Sequence, residues 1–182
     1  MKIGIVIGSI REGRKGETVA EWVLKEATAR GDAEYSIIDL KTFDLPLLTD
    51  PVLPGMADRK YSSEAVTRWS QAIDACDGFV FVTPEYNHGV PGAFKNAVDS
   101  LGPEWTGKTV GFVSYGADGG VRCVEQWRTI IANFQMIDVR GQVALSLFTE
   151  FGQDGLTLLE RRPSELATLL SQLTSLTGKL SS

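Results

Sequence analysis

The sequence predicts an α/β protein in which helices cover both faces of a parallel β-sheet. Short, mostly apolar segments, typical of strands buried on both faces, alternate with longer segments whose apolar residues recur every three or four positions, as in amphipathic helices. The chain shows no internal repeat, low-complexity tract or linker, and its 182 residues, 43% of them apolar, suffice for one core. We therefore expect one domain over residues 1–182.

The first half of the chain contains two predicted strands and two predicted helices. Ile3–Ile7 is apolar and β-branched, the pattern of a buried strand, and Tyr35–Leu40 is the second strand. Thr18–Ala29 and Ser63–Ala75 each place their apolar residues on one helical face. Between them, Lys41–Arg59 contains three prolines. A loop of this length is usually functional or covers an interface.

The second half continues the alternation. Gly78–Thr83 and Thr109–Tyr115 are predicted strands because both are rich in Val and Phe. Pro91–Leu101 is a predicted helix that begins with a proline, whose missing N–H is harmless in the first turn. Val121–Phe134 is the next predicted helix.

The last elements complete the topology. Met136–Val139 is predicted as the fifth strand and Pro163–Leu176 as a terminal helix with its leucines aligned on one face. Gln142–Gly155 either extends the fifth strand or forms a hairpin or flap. Five parallel strands joined by right-handed crossovers favour the flavodoxin-like order 2-1-3-4-5, a three-layer sandwich, over the longer two-half dinucleotide fold.

Composition excludes several classes of function. With 18 basic and 23 acidic residues, the net charge of −5 argues against broad nucleic-acid binding. Cys76, Cys123 and the single histidine, His88, form no metal-ligand spacing, so we expect no metal and two free thiols in a reducing compartment. The apolar stretch at the N-terminus is too short for a signal peptide, and no apolar run is long enough to span a membrane. We expect a cytoplasmic protein.

The loop after the first strand, Gly8–Thr18, is the first candidate for a ligand site, because ligands of such sheets bind beyond the carboxyl ends of the strands. Its glycines expose backbone amides, and the helix that follows offers free N–H groups and a partial positive charge. Ser9 and Thr18 add hydroxyl donors, and Arg11 and Arg14 add charged ones. The segment predicts a phosphate-binding loop.

Two better-known phosphate motifs do not match this loop. Gly8 and Gly13 have the spacing of a nucleotide triphosphate loop, but the second glycine is followed by Arg14 and Lys15 instead of Lys and a hydroxyl residue. The dinucleotide pattern GxGxxG is also absent after the first strand.

Loops after the third and fourth strands bring aromatic and polar groups to the same edge. In the first of them, Tyr86 offers a flat face, and Asn87 with the loop amides suits the polar edge of a heterocycle. Glu85 either orders this loop or takes part in chemistry, and we favour the ordering role. His88 is interpreted as an exposed loop residue rather than a proton donor. The second loop, Ser114–Gly120, joins exposed amides to a helix start.

These residues form no nucleophile–base pair and no carboxylate pair, so no catalytic side chain is predicted. The chemistry is therefore assigned to a cofactor that the protein binds and orients. A phosphate-binding loop beside two loops with aromatic residues suits a mononucleotide with a flat ring, a description that fits FMN.

Three segments resemble those of the NADPH-dependent FMN reductase family, which includes quinone, chromate and azo-dye reductases. They are Gly8–Arg14 (GSIREGR), Pro84–Asp99 (PEYNHGVPGAFKNAVD) and Ser114–Gly116 (SYG). The second is the most specific, because PEYN followed by P-G-x-x-K-N-x-x-D is long. The likeness extends from residue 1 to about residue 140.

The resemblance implies which residues hold FMN. In this family the first loop binds the phosphate, the PEYN loop lies along the isoalloxazine and the fourth-strand loop closes its other side. Many members carry Ser and Asn where this chain has Arg14 and Gly16, so its phosphate contacts are expected to differ in part. The implied residues are Ser9, Arg11, Arg14, Glu17 through its backbone, Thr18 and Val19 for the phosphate, Pro84, Glu85, Tyr86 and Asn87 for the ring, and Ser114, Tyr115 and Gly116 on its other side.

The implied activity is that of an FMN-dependent NAD(P)H oxidoreductase with a ping-pong cycle. Hydride would pass from NAD(P)H through N5 of FMN to a quinone, a flavin or a similar small acceptor. Family members are homodimers or homotetramers with FMN near the subunit boundary, and residues 46–61 are candidates for that interface. A preference for NADPH would need a cation such as Arg14, Lys15 or Arg122.

Two alternative functions stay open. The chain could be a non-enzymatic electron carrier, as flavodoxins are, or a regulatory module that binds FMN without turnover. Steady-state oxidation of NADPH with a quinone distinguishes the enzyme from the carrier.

Overall fold

The centre of the protein is a parallel β-sheet with helices on both faces. A computed structural model describes residues 1–152 and 155–180. The strands of the main sheet are β1 (Lys2–Ile7), β2 (Glu34–Asp39), β3 (Gly78–Pro84), β4 (Thr109–Gly116) and β5 (Ile137–Ser146). The helices are α1 (Gly16–Thr28), α2 (Glu64–Asp74), α3 (Gly92–Asp99), α4 (Val121–Ala132) and α5 (Arg162–Leu180). The strand order β2-β1-β3-β4-β5 confirms the predicted flavodoxin-like topology.

Two apolar layers enclose the sheet. Helices α2, α3 and α4 pack on one face through residues such as Trp69, Phe94 and Trp127. Helices α1 and α5 pack on the other face through residues such as Val19 and Leu169. Each layer removes large aromatic or branched side chains from water, which is the main stabilising contribution to such a fold.

The crossover from β1 to α1 depends on a glycine. The Gly8 amide donates a hydrogen bond to the carbonyl of Val82 at 2.9 Å, so the chain continues alongside β3 before it turns. A Cβ at position 8 would lie 2.0 Å from the Phe94 ring, so only glycine lets the loop pass this close to α3. Helix α1 then begins at Gly16, two residues before the predicted start.

Strand β5 and the segment that follows it show which structure residues 142–155 adopt. Strand β5 runs to Ser146, with a register shift opposite Val110 and Phe112. It is followed by a short antiparallel hairpin of β6 (Phe151–Gly152) and β7 (Gly155–Leu156). Both predicted alternatives therefore occur in succession; positions 153 and 154 lie outside the described residues.

The long loop between β2 and α2 is attached to the core at several points. It contains two short 3₁₀ turns, Leu40–Phe43 and Pro54–Met56. Tyr61 donates a hydrogen bond to the buried Glu104 at 2.6 Å, and Asn96 of α3 bonds backbone groups of Pro46 and Leu48 at 2.9 Å. Its apolar residues nevertheless face outward: Leu47, Leu48, Val52, Leu53 and Met56 are exposed.

Over residues 1–152 and 155–180, no helix is both long and apolar enough to cross a bilayer. The same residues contain no group of histidine, cysteine and carboxylate side chains placed to hold a metal ion. Cys76 and Cys123 are both buried free thiols.

Candidate functional site

The carboxyl ends of β1, β3 and β4 meet at one edge of the sheet and enclose a cleft of about 230 Å³. Parallel strands bring their following loops together in this way, near the point where the strand order reverses. The cleft is lined by Ser9, Arg11, Glu12, Gly13, Arg14, Lys15, Pro84, Glu85, Tyr86, Tyr115 and Leu147.

The N-terminus of α1 opens at this cleft without a side-chain cap. Lys15 occupies the capping position and makes no capping hydrogen bond. In the described part of the chain, the amides of Gly16, Glu17 and Thr18 donate to no other residue, whereas the Val19 amide already donates to the Lys15 carbonyl. Unpaired N–H groups at the positive end of a helix dipole form an anion-binding site.

Two hydroxyl groups join the loops after β1 and β3. Ser9 is buried, and its Oγ lies 2.7 Å from the Tyr86 hydroxyl. The exposed Arg11 guanidinium lies 5.7 Å from the centre of the Tyr86 ring, within cation–π range. Arg11 therefore remains free to turn its donors toward an anion in the cleft.

Arg14 is engaged inside the protein instead. Its guanidinium donates to both carboxylate oxygens of Asp39, at 2.8 and 2.5 Å, and to Glu17 and the Ser9 carbonyl. Its side chain is 4% exposed. Burial acts to lower the pKa of Arg14, but the bonds to Asp39 and Glu17 outweigh burial and raise that pKa. Arg14 thus braces the loop against the end of β2 and pairs with the Glu17 carboxylate.

Glu85 anchors the loop after β3 to helix α4. One carboxylate oxygen accepts from Arg122 Nε at 2.6 Å, and the other accepts from the backbone amides of Arg122 and Cys123 at 3.1 and 3.3 Å. Because α4 has no side-chain cap of its own, Glu85 supplies acceptors for its first turn. The geometry gives Glu85 an ordering role.

The residues after Glu85 form a tight turn. The Tyr86 and Gly89 backbones exchange two hydrogen bonds, and Asn87 and His88 have φ angles of 50° and 66°. Two successive left-handed residues match a type I′ turn. Their own amides donate no hydrogen bond within the described residues. His88 is exposed, and its carbonyl accepts from Gln126 at 2.7 Å.

The predicted residues at the end of β4 point in different directions. Ser114 is buried, and its hydroxyl donates to the Gly119 carbonyl at 2.7 Å, so it stabilises the turn before α4. Gly116 lets this turn approach the loop after β3, because a Cβ there would lie 3.2 Å from Glu85 Cβ. Tyr115 faces α1, on the opposite side of the sheet from Ser114.

The sequence matches a family model along most of its length. The model describes NADPH-dependent FMN reductases and covers residues 1–150 of this chain. The chain belongs to the NADPH-dependent FMN reductase family. It is therefore an oxidoreductase of a flavin-dependent family, as its resemblance in three loop segments implies.

Curated relatives of this chain support the same family assignment. The NAD(P)H-dependent FMN reductase of Schizosaccharomyces pombe is 38% identical over 146 residues, which cover 80% of this chain and 73% of that protein. The NAD(P)H-dependent FMN reductase of Saccharomyces cerevisiae is 35% identical, with 81% of each chain covered. A quinone reductase of Escherichia coli is 32% identical over 72% of this chain and 69% of its own length.

A solved structure supports the fold. The flavoenzyme NAD(P)H:(acceptor) oxidoreductase of Paracoccus denitrificans superposes with a TM-score of 0.77, and the match covers 98% of this chain and 97% of that one. Sequence identity is 20%, so this similarity supports the fold.

The cleft of this FMN reductase fits the cofactor of its family. The uncapped start of α1, the Ser9 hydroxyl and the free charge of Arg11 suit a phosphate dianion. Tyr86 and the unpaired amides of Asn87 and His88 suit a flat heterocycle with polar edges. Of the predicted phosphate residues, Val19 has a buried side chain and a paired amide, and Arg14 is held by carboxylates.

Several residues of the site were not predicted. Asp39, which holds Arg14, lies at the end of β2, and its sequence position gives no sign of that contact. Leu147 lines the cleft from the segment after β5, where the sequence pattern is ambiguous. Gly16 could have been recognised as part of the site, because a glycine at the start of a helix that follows a strand and its loop lets a ligand approach the backbone closely.

Proposed function

We propose that this protein binds FMN in the cleft at the carboxyl edge of the sheet and uses NAD(P)H to reduce a small acceptor. The observation that carries the proposal is the uncapped N-terminus of α1 beside Ser9 and Arg11. Three unpaired amides and a free guanidinium form a site whose charge and donors suit a phosphate group.

Each loop has a separate part in the proposed binding. The amides of residues 16–18, Ser9 and Arg11 hold the phosphate. The turn after β3 would hold the ring through Tyr86 and Asn87, and its unpaired amides would offer hydrogen-bond donors to the polar edge of the ring. Ser114, Gly116 and Pro84 shape the cleft rather than donate side-chain hydrogen bonds to it. When bound, FMN supplies hydride acceptance and donation, which no side chain of the cleft provides.

The acceptor is proposed to be a quinone or a free flavin. This rests on the names of the relatives, which are FMN reductases and a quinone reductase. A ping-pong order is expected because one exposed ring would serve the reductant and the acceptor in turn.

We further propose that the protein acts as a homodimer or homotetramer in the cytoplasm, with residues 1–182 as one domain. The exposed leucines and Met56 between β2 and α2, together with an adjoining cleft of about 680 Å³, form an apolar surface suited to a second copy. Two buried, unpaired cysteines fit a reducing compartment.

The visible absorption spectrum of the purified protein tests the proposed function. We expect flavin bands that bleach on anaerobic addition of NADPH and return when a quinone is added. Bands that persist with both NADPH and NADH would favour an electron carrier or a regulatory module. A colourless protein that also fails to bind added FMN would refute the flavin site.

A further inference from the structure

Tyr115 carries a buried hydroxyl group that makes no well-formed hydrogen bond, although the Ser9 hydroxyl lies close enough to affect its pKa. The residue is 5% exposed. Among the buried side-chain atoms of residues 1–152 and 155–180, its hydroxyl oxygen is the one without a hydrogen bond. The two other hydroxyls of the cleft, Ser9 and Tyr86, bond each other at 2.7 Å. Buried polar groups are nearly always well paired in native proteins, so a hydroxyl without a well-formed hydrogen bond in a cleft is available to a ligand.

The position of this hydroxyl indicates the ligand's chemistry. It lies 2.9 Å from the point that a Cβ on Gly16 would occupy, and therefore beside the first residue of α1. The unpaired amides of Gly16, Glu17 and Thr18 start at the same place. A side-chain donor added to an uncapped helix N-terminus completes a site for an anion.

The hydroxyl also stays protonated at neutral pH. Burial raises the pKa of Tyr115 and the neighbouring Tyr86 raises it further, which outweighs the lowering by Ser9, Arg14 and Arg11. A protonated phenol donates a hydrogen bond, which suits a phosphate oxygen, an acceptor without protons to offer.

We propose that the Tyr115 hydroxyl donates a hydrogen bond to the phosphate group of FMN, so that Tyr115 selects FMN over riboflavin. The inference rests on the proposed function and reassigns a residue that family resemblance places beside the ring. Gly16 belongs to the same arrangement, because any larger residue there would occupy the space between the hydroxyl and the helix start.

The test compares Tyr115→Phe with a matched loss of a hydroxyl elsewhere. Tyr35→Phe is the control, because its hydroxyl donates to Asp32 at 2.7 Å, away from the cleft. The apo forms of the wild type and both variants are titrated with FMN and with riboflavin, following quenching of flavin fluorescence. For Tyr115→Phe we expect the Kd for FMN to rise about tenfold, and the Kd for riboflavin to stay within about twofold. Tyr35→Phe should change neither value.

Each other outcome overturns the inference in a recognisable way. Equal losses for FMN and riboflavin would place Tyr115 at the ring, and an unchanged Kd for FMN would remove it from the site. Wild-type protein that binds neither flavin would refute the proposed function as well, before any variant is made. The apo form of Tyr115→Phe should melt no lower than the wild type; a clear loss of stability would mean that the hydroxyl has an internal partner.

Discussion

At the scale of single residues, the two arginines of the loop after β1 have opposite surroundings. Arg14 is buried and surrounded by acceptors from Asp39, Glu17 and the Ser9 backbone. Arg11 is exposed, and its guanidinium lies over the Tyr86 ring without a hydrogen bond to any of the described residues. One guanidinium is therefore used to stabilise the loop, and the other is available to a ligand.

Replacing these arginines should affect two different properties. Arg11→Ala should raise the Kd for FMN about tenfold with little change in stability, because it removes a charged donor from the surface. Arg14→Ala should lower the free energy of unfolding of the apo-protein by about 2 kcal/mol, because it leaves Asp39 half-buried without its partner. Flavin titration and urea unfolding measure the two effects.

Arg59→Ala is the control for both arginine variants. Its exposed pair with Asp74 lies at the end of α2, at the opposite edge of the sheet from the cleft, so neither property should change appreciably. An Arg14→Ala variant of normal stability that binds FMN poorly would contradict this division of roles.

The same residues show how far the site was predictable. The loop, its hydroxyls and its positive charge follow from residue types placed between a strand and a helix. The choice between Arg11 and Arg14 does not, because it depends on Asp39, 25 residues further along the chain. Likewise, the sequence shows that residue 115 is a tyrosine but not whether its side chain points to the ring or to the start of α1.

At the scale of elements, the segment after β5 depends on one buried ion pair. Glu150 is fully buried and accepts two hydrogen bonds from Arg162 at 2.8 Å. It also accepts from the backbone amides of Ser146 and Leu159, at 3.0 and 3.3 Å. Glu150 thereby joins the end of β5 to the start of α5 and positions the segment that brings Leu147 to the cleft.

This ion pair should make the free energy of unfolding depend on pH in the acid range. Burial acts to raise the pKa of Glu150, but Arg162 and the two amides outweigh burial and lower that pKa. The stabilisation is therefore complete above the pKa of an unfolded glutamate, about 4.3, and is lost as the pH falls through the lower folded value. Glu150→Gln should cost about 2–3 kcal/mol at pH 7, and the difference from the wild type should shrink below about pH 4.

Denaturant unfolding at a series of pH values measures this effect. Glu160→Gln, an exposed neighbour, should stay within about 0.5 kcal/mol of the wild type throughout. A Glu150→Gln deficit that is the same at pH 3 and pH 7 would show that the pair acts through packing and not through charge.

The strands could be predicted from the sequence where both faces of the strand are buried. Strands β1, β3 and β4 are covered on both faces, so their apolar runs identify them directly. Strand β5 lies at the edge of the sheet, alternates between buried and accessible positions and shifts register beside β4. Its sequence therefore lacks the continuous apolar run, and its full length could not be inferred.

At the scale of the whole molecule, the loop between β2 and α2 combines firm attachment with an apolar exterior. Tyr61 and Asn96 attach it to the core by hydrogen bonds. Leu53 and Met56 are 66% and 75% exposed. A loop that is ordered but exposes large apolar side chains is typical of a protein–protein interface.

Charged residues on this surface should dissociate the proposed oligomer. Leu53→Asp combined with Met56→Asp places two like charges in the interface, so the variant should have the monomer mass of 19.8 kDa in light scattering, while the wild type has a multiple of it. Leu159→Asp, at an exposed position before α5, should keep the wild-type mass. A wild type that is itself monomeric at micromolar concentration would refute the interface.

The missing cap of α1 makes the stability of the fold depend on the proposed ligand. A helix whose first amides are completed by a cofactor gains stability only when that cofactor is present, and a ligand at a hundred times its Kd adds about 2.7 kcal/mol to the folded state. If FMN completes these amides as proposed, a shortage of the flavin would leave more of the chain in its less stable apo form, which proteases remove more readily. The amount of enzyme would then follow the supply of its flavin, without any change in transcription.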